Sequence, residues 1–124
     1  MAVPILKQGP YLIATIQAAL TDTDVLQLQD DVMAQVTRHR SRGIIVDVTA
    51  LDVMDSFVSR SLQGIARMTR LRGAETVIVG IQPEVAFAMV QLGMSFEDVL
   101  TALDLEEGLA LLMRPWKEAG DGGG

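Results

Sequence analysis

Asp47, Asp52, Asp55 and Ser56 stand within ten residues of one another. They follow Ile44-Ile45-Val46, an apolar run that reads as a buried strand, and they precede Phe57-Val58, where a helix begins. Three aspartates converging at a strand end are the raw material of a divalent-cation or acid–base site. Aspartates are equally common as loop formers and helix caps. The serine sits where a helix start leaves backbone N–H groups unpaired, so its hydroxyl either caps them or carries a phosphate. A phosphate there adds about -1.5 to -2 charge beside Asp55 and Asp52. A partner docked over such a loop meets both bulk and repulsion. Ser59 and Ser61 are rival acceptors, but they fall inside the helix and are less open to a kinase.

Other chemistries are excluded by what the chain lacks. Cys is absent, which removes disulfides, thiolate nucleophiles and zinc-thiolate sites. His39 is the only histidine, at a polar helix end among arginines, so neither a histidine triad nor a multi-histidine metal site is available. Neither a Gly-x-x-x-x-Gly-Lys phosphate loop nor a Gly-x-Gly-x-x-Gly fingerprint occurs. A phosphoaspartate receiver centred on Asp47 needs an acidic pair after its first strand and a lysine after a late one. Ile16-Gln17-Ala18 and Gly80-Ile81-Gln82 hold those places. The formal net charge of -6 argues against nucleic acid or an anionic membrane as partner. No signal peptide or membrane span is read in the sequence, and a cytoplasmic protein is expected.

The elements that position this loop follow from periodicity. Val3 to Leu6 and Tyr11 to Ile16 read as paired strands, with Lys7 to Pro10 as their turn. Thr21 to Asp24 supply cap candidates for a helix carrying Val25, Leu28, Val32 and Val36. Ile44 to Val48 reads as a central strand and Phe57 to Leu71 as a helix, with Val58, Leu62, Ile65, Met68 and Leu71 along one side. Arg60, Arg67 and Arg70 lie mostly on the other side. Glu75 to Val79 is the next strand. Pro83 opens a helix through Val85 to Leu92, stopped at Gly93. Val99-Leu100 forms a weak strand, and Asp104 opens a last helix through Leu109, Leu112 and Met113, weakened by Gly108. Met54, Met68, Met89, Met94 and Met113 are expected as core filler. Strands alternating with helices build an α/β fold: a mixed, mostly parallel sheet of four to five strands, with about four helices largely on one face. One domain is expected over residues 1–117, with a flexible Gly-rich tail over 118–124.

Val46-Asp47-Val48-Thr49-Ala50-Leu51-Asp52-Val53-Met54-Asp55-Ser56 resembles the signature of STAS domains, the fold of bacterial anti-sigma-factor antagonists. Ile5-Leu6-Lys7, Gly80-Ile81-Gln82-Pro83 and Thr101-Ala102-Leu103-Asp104-Leu105-Glu106 extend the resemblance from about Pro4 to Trp116. Common antagonists follow Asp-Ser with a small residue and Gly. Phe57-Val58 in that place is similar instead to the stressosome scaffold branch, the RsbS type.

That resemblance implies a non-catalytic protein without cofactor or metal. Its implied partners are paralogous RsbR-type STAS proteins, an RsbT-type serine/threonine switch kinase and an RsbX-type resetting phosphatase, in homo- and hetero-oligomers. Ser56 is the implied phosphoacceptor, with Asp55 and Phe57 as its flanking loop residues. Two alternatives stand beside this: a free antagonist that binds an anti-sigma kinase directly, and a metal-dependent or small-ligand enzyme built on Asp47, Asp52 and Asp55.

Overall fold

A computed structural model describes residues 3–94, 96 and 99–114; the tail expected from residue 118 lies outside them. Five strands and four helices are described: β1 (Ile5–Gln8), β2 (Tyr11–Thr15), α1 (Asp22–His39), β3 (Gly43–Asp47), α2 (Ser56–Leu71), β4 (Glu75–Val79), α3 (Pro83–Gln91), β5 (Leu100–Ala102) and α4 (Leu105–Met113). The strands lie in sequence order in one sheet. β1 is antiparallel to β2, and all later pairs are parallel. The mixed, mostly parallel sheet expected from the sequence is therefore present.

The opening hairpin is tighter and later than expected. Gln8 pairs with Tyr11, so the turn is Gly9-Pro10 alone, and β1 starts at Ile5 instead of Val3. Gly9 takes a φ of 59°, which its missing Cβ permits without strain.

Register explains the core. Ala14, Val46 and Ile78 lie side by side across β2, β3 and β4, and so do Ile13, Ile45 and Val77 one residue earlier. Successive side chains leave a strand on opposite faces. The first row packs under Val25, Leu28, Val32 and Val36 of α1, under Val58, Leu62 and Ile65 of α2, and under Val85 and Met89 of α3. The second row packs with Val79 against Leu105, Leu109 and Leu112 of α4. Of the described helices, three thus share one face and α4 covers the other.

Two glycines admit α4. A Cβ on Gly108 would come within 2.7 Å of Val79 Cγ1, and one on Gly43 within 2.7 Å of Leu112 Cδ2. Gly108, expected only to weaken its helix, is what lets that helix rest on the sheet. The Tyr11 hydroxyl donates to the Leu112 carbonyl (3.3 Å), and Arg114 pairs with Glu75 (3.3 Å), tying down the end of α4.

Leu71 and Met113 correct the expected core. Leu71 is 87% exposed, because it stands nine residues beyond Leu62 and therefore about half a turn round from it. Met113 is exposed on the last residue of α4. In place of Leu71, α2 buries Thr69, whose hydroxyl donates to the Ala66 carbonyl (3.0 Å) and meets the Thr76 hydroxyl at 2.9 Å.

Candidate functional site

Parallel strands that each feed a helix put all the strand-to-helix loops at one end of the sheet. The loop from β3 to α2 is held there from both sides, with the Ile16 amide donating to the Asp47 carbonyl at 3.0 Å on the β2 side. The Val48 amide donates to the Val79 carbonyl (3.0 Å), and the Leu51 amide to the Val48 carbonyl (2.9 Å). Leu51 and Met54 are buried and pin the loop to the core, while Asp52 and Val53 between them are exposed.

Asp55 begins the helix. Its backbone is extended (φ -79°, ψ 175°), which turns the carboxylate over the first turn to accept the Val58 amide at 2.8 Å. Ser56 is already the first helical residue and is exposed. The reading of Ser56 as the cap is corrected by this geometry. A residue caps from outside the helix, and a side chain whose own backbone is helical cannot lie over the following amides. Asp55 does the capping, and the Ser56 hydroxyl is left in solvent beside the N–H groups of the first turn.

The two rival serines differ in environment. Ser59 is 1% exposed, and its hydroxyl is buried without a hydrogen-bond partner. Ser61 is half-buried. Phe57 is half-buried against the core, which fixes the axis on which Ser56 stands.

The three aspartates do not converge. Asp47 Oδ1 accepts both the amide (2.9 Å) and the hydroxyl (2.6 Å) of Thr49. Asp55 is committed to Val58, and Asp52 lies on the exposed loop. Among the described residues no group of three or more His, Asp or Glu is placed to hold a metal ion. His39 is the last residue of α1, at the opposite end of the sheet.

Thr49, Gly80 and Gln82 pack around this loop, and sequence reasoning includes them only within longer motifs, with no role in the site. Gln82 Nε2 donates to the Thr49 carbonyl at 2.7 Å. Gly80, at φ 79°, runs so close that a Cβ there would fall on the Thr49 hydroxyl. Asp47-Val48-Thr49 carried a readable signal, since Asp two residues before a threonine amide favours this local bond. Nothing in the sequence announces the Gln82 contact.

Charge is polarised, with Glu75 at the basic end and Arg60 in the second turn of α2 as exceptions. Asp22, Asp24, Asp47, Asp52, Asp55, Glu84, Asp104, Glu106 and Glu107 lie in the loops and first helical turns at the Ser56 end. Arg38, Arg40, Arg42, Arg70 and Arg72 lie at the other end. Acidic residues at helix starts and basic ones at helix ends suit the helix dipoles. A modified Ser56 would extend an acidic surface.

Residues 2–108 match the STAS domain family. The chain belongs to that family. It is 30% identical to the RsbT co-antagonist protein RsbRA of Bacillus subtilis over 83 residues, 67% of this chain and 30% of that relative. RsbRD of the same organism is 31% identical over 81 residues, 65% of this chain and 29% of its own length. The match therefore spans under a third of these curated relatives. Among solved structures, a serine-to-glutamate variant of RsbS from Moorella thermoacetica shares 34% identity and a TM-score of 0.77, covering 96% of this chain and 97% of that one. A chain from a structure described as the molecular architecture of the stressosome shares 34% identity and a TM-score of 0.72, covering 88% and 95%. The chain is thus a stressosome-type STAS protein related to RsbS and RsbR. Among the described residues no helix is long and apolar enough to cross a membrane.

Proposed function

We propose that this STAS chain is a non-catalytic stressosome scaffold protein of the cytoplasm, a single domain over residues 1–117 with 118–124 as an appended tail. It assembles with RsbR-type paralogues, holds an RsbT-type serine/threonine switch kinase at its Ser56 end, and releases that kinase when Ser56 is phosphorylated. An RsbX-type phosphatase removes the phosphate and resets the scaffold. The observation that carries this reading is the division of labour between Asp55 and Ser56. The cap is supplied by the aspartate, so the exposed serine is not needed to start the helix. The similarity to RsbS along nearly the whole chain supports it.

The chemistry asked of the scaffold is slight. The kinase brings ATP, the Ser56 oxygen attacks the γ-phosphorus, ADP leaves, and the hydroxyl proton passes to the kinase. What the scaffold contributes is position and environment. The new phosphate carries about -1.5 to -2 charge and sits by the unpaired amides of the first turn of α2, where the helix dipole favours it. It adds bulk and charge to an acidic surface. A kinase fitted to the unmodified loop loses contact there.

Light scattering on the chain mixed with an RsbR-type paralogue and the kinase tests this. A large species that retains the kinase without ATP and sheds it with ATP is the expected result. A monomer or dimer that binds a kinase directly, with no paralogue assembly, would favour the free-antagonist function instead.

A further inference from the structure

Gln82 occupies the N-cap position of α3, with an extended backbone (φ -67°, ψ 149°), yet its side chain caps nothing. The amide group reaches instead across to the neighbouring loop, where Nε2 donates to the Thr49 carbonyl at 2.7 Å. A capped helix start is the ordinary use of this position, and Ser, Thr, Asp or Asn are the residues that supply it. At the same position α1 has Thr21, α2 has Asp55 and α4 has Asp104, each accepting an amide of its own helix. Among the described helices only α3 departs from that pattern. Pro83 at its first position already lacks an N–H, which lowers the cost of leaving the end uncapped.

Thr49 is gripped on its other groups as well. Its amide and hydroxyl both donate to Asp47 Oδ1, and Gly80 leaves room for its side chain only by lacking a Cβ. Every polar group of Thr49 is therefore bound, and its carbonyl is held from outside its own loop. That carbonyl lies at the start of the segment leading through Leu51 and Met54 to Asp55 and Ser56.

We infer that Gln82 is a positioning residue for Ser56: its bond to the Thr49 carbonyl holds the β3–α2 loop in the conformation a kinase must engage. This rests on the reading of Ser56 as the phosphoacceptor and adds to it a residue from a different loop. An ordered loop pays no ordering entropy when the kinase docks. Loosening it raises KM and leaves kcat nearly unchanged, because the ordering is required for binding and not for the chemical step.

The test uses Gln82→Asp and Gln82→Ala in the full chain. Gln82→Asp removes the donor to Thr49 but supplies α3 with a good cap, so thermal stability holds or rises. Amide hydrogen exchange is read at Thr49 and Leu51, and phosphorylation by the cognate kinase with ATP is read as separate kcat and KM. In both variants exchange at those two amides is expected to speed up about five-fold, the factor that one net hydrogen bond carries. KM is expected to rise by about the same factor, with β3 and β4 amides unaffected. Unchanged exchange at Thr49 and Leu51 overturns the restraint itself. Faster exchange with unchanged KM overturns the role in phosphorylation. A wild-type chain that takes no phosphate on Ser56 overturns the phosphoacceptor reading, and with it the role given to Gln82, whatever the exchange reports.

Discussion

Asp55 Oδ1 accepts the Val58 amide at 2.8 Å, and this bond makes Asp55, and not Ser56, the cap of α2. Replacing the cap should therefore cost stability where replacing the serine does not. Asp55→Ala is expected to destabilise the fold by about 1 kcal/mol in urea unfolding, and Ser56→Ala by no more than about 0.5 kcal/mol. A larger loss from Ser56→Ala than from Asp55→Ala would contradict this assignment. The same contrast clears Ser56→Ala for use in functional work, since its effects would not come from a weakened helix.

The buried threonine pair gives an asymmetric expectation. Thr69 donates to the Ala66 carbonyl and also serves Thr76, whereas Thr76 meets only Thr69. Thr69→Val leaves the Thr76 hydroxyl buried without a partner, at a cost of about 1–3 kcal/mol. Thr76→Val leaves Thr69 bonded to Ala66 and should cost less. The double replacement should recover stability relative to Thr69→Val alone. Equal single losses that simply add would show that the hydroxyls are not coupled.

Packing of α4 depends on two missing side chains. Gly108→Val puts two methyl groups where a single Cβ already meets Val79 Cγ1 at 2.7 Å. The expected loss is about 1–3 kcal/mol, the usual cost of overpacking. Calorimetry decides it, and a gain in stability, as helix propensity alone would give, is the contrary result. Leu71→Ala, on an 87% exposed residue, should change stability by no more than about 0.5 kcal/mol.

Much of this architecture is legible from periodicity and punctuation. Val25, Leu28, Val32 and Val36 mark α1 because only a helical repeat brings them to one side, and all four are buried. Glu75–Val79 is bounded as a strand by Gly73 and Gly80. The limits of such reading are equally physical. Leu71 joins the apolar side of α2 only by residue type, since its nine-residue step from Leu62 carries it about half a turn away. Gly108 reads as a weak point in a helix until the sheet beneath it is known. Asp55 and Ser56 are both good caps, and which one acts depends on a one-residue difference in where the helix begins. Gln82 lies 33 residues from Thr49 in the chain, and no local signal connects them.

The charge distribution carries a further expectation for binding. Asp52 is exposed on the loop that leads to Ser56 and, unlike Asp55, does not cap α2. A kinase that docks on this acidic end must present a basic surface. Its affinity should fall as salt rises from 50 to 500 mM on the order of ten-fold, and Asp52→Asn should flatten that dependence. Titration by calorimetry at several salt concentrations reads both effects. Affinity indifferent to salt would place the kinase elsewhere on the scaffold.

The central claim is that Ser56 is the switch. Intact mass and peptide mapping after incubation with the cognate kinase and ATP address it directly, using wild type, Ser56→Ala and Ser56→Asp. One phosphate on Ser56 in wild type and none on Ser56→Ala is predicted, with the kinase retained by Ser56→Ala and lost by Ser56→Asp. A phosphate on another residue, or kinase binding that neither replacement alters, would contradict the account and leave Ser56 an exposed serine beside the Asp55 cap.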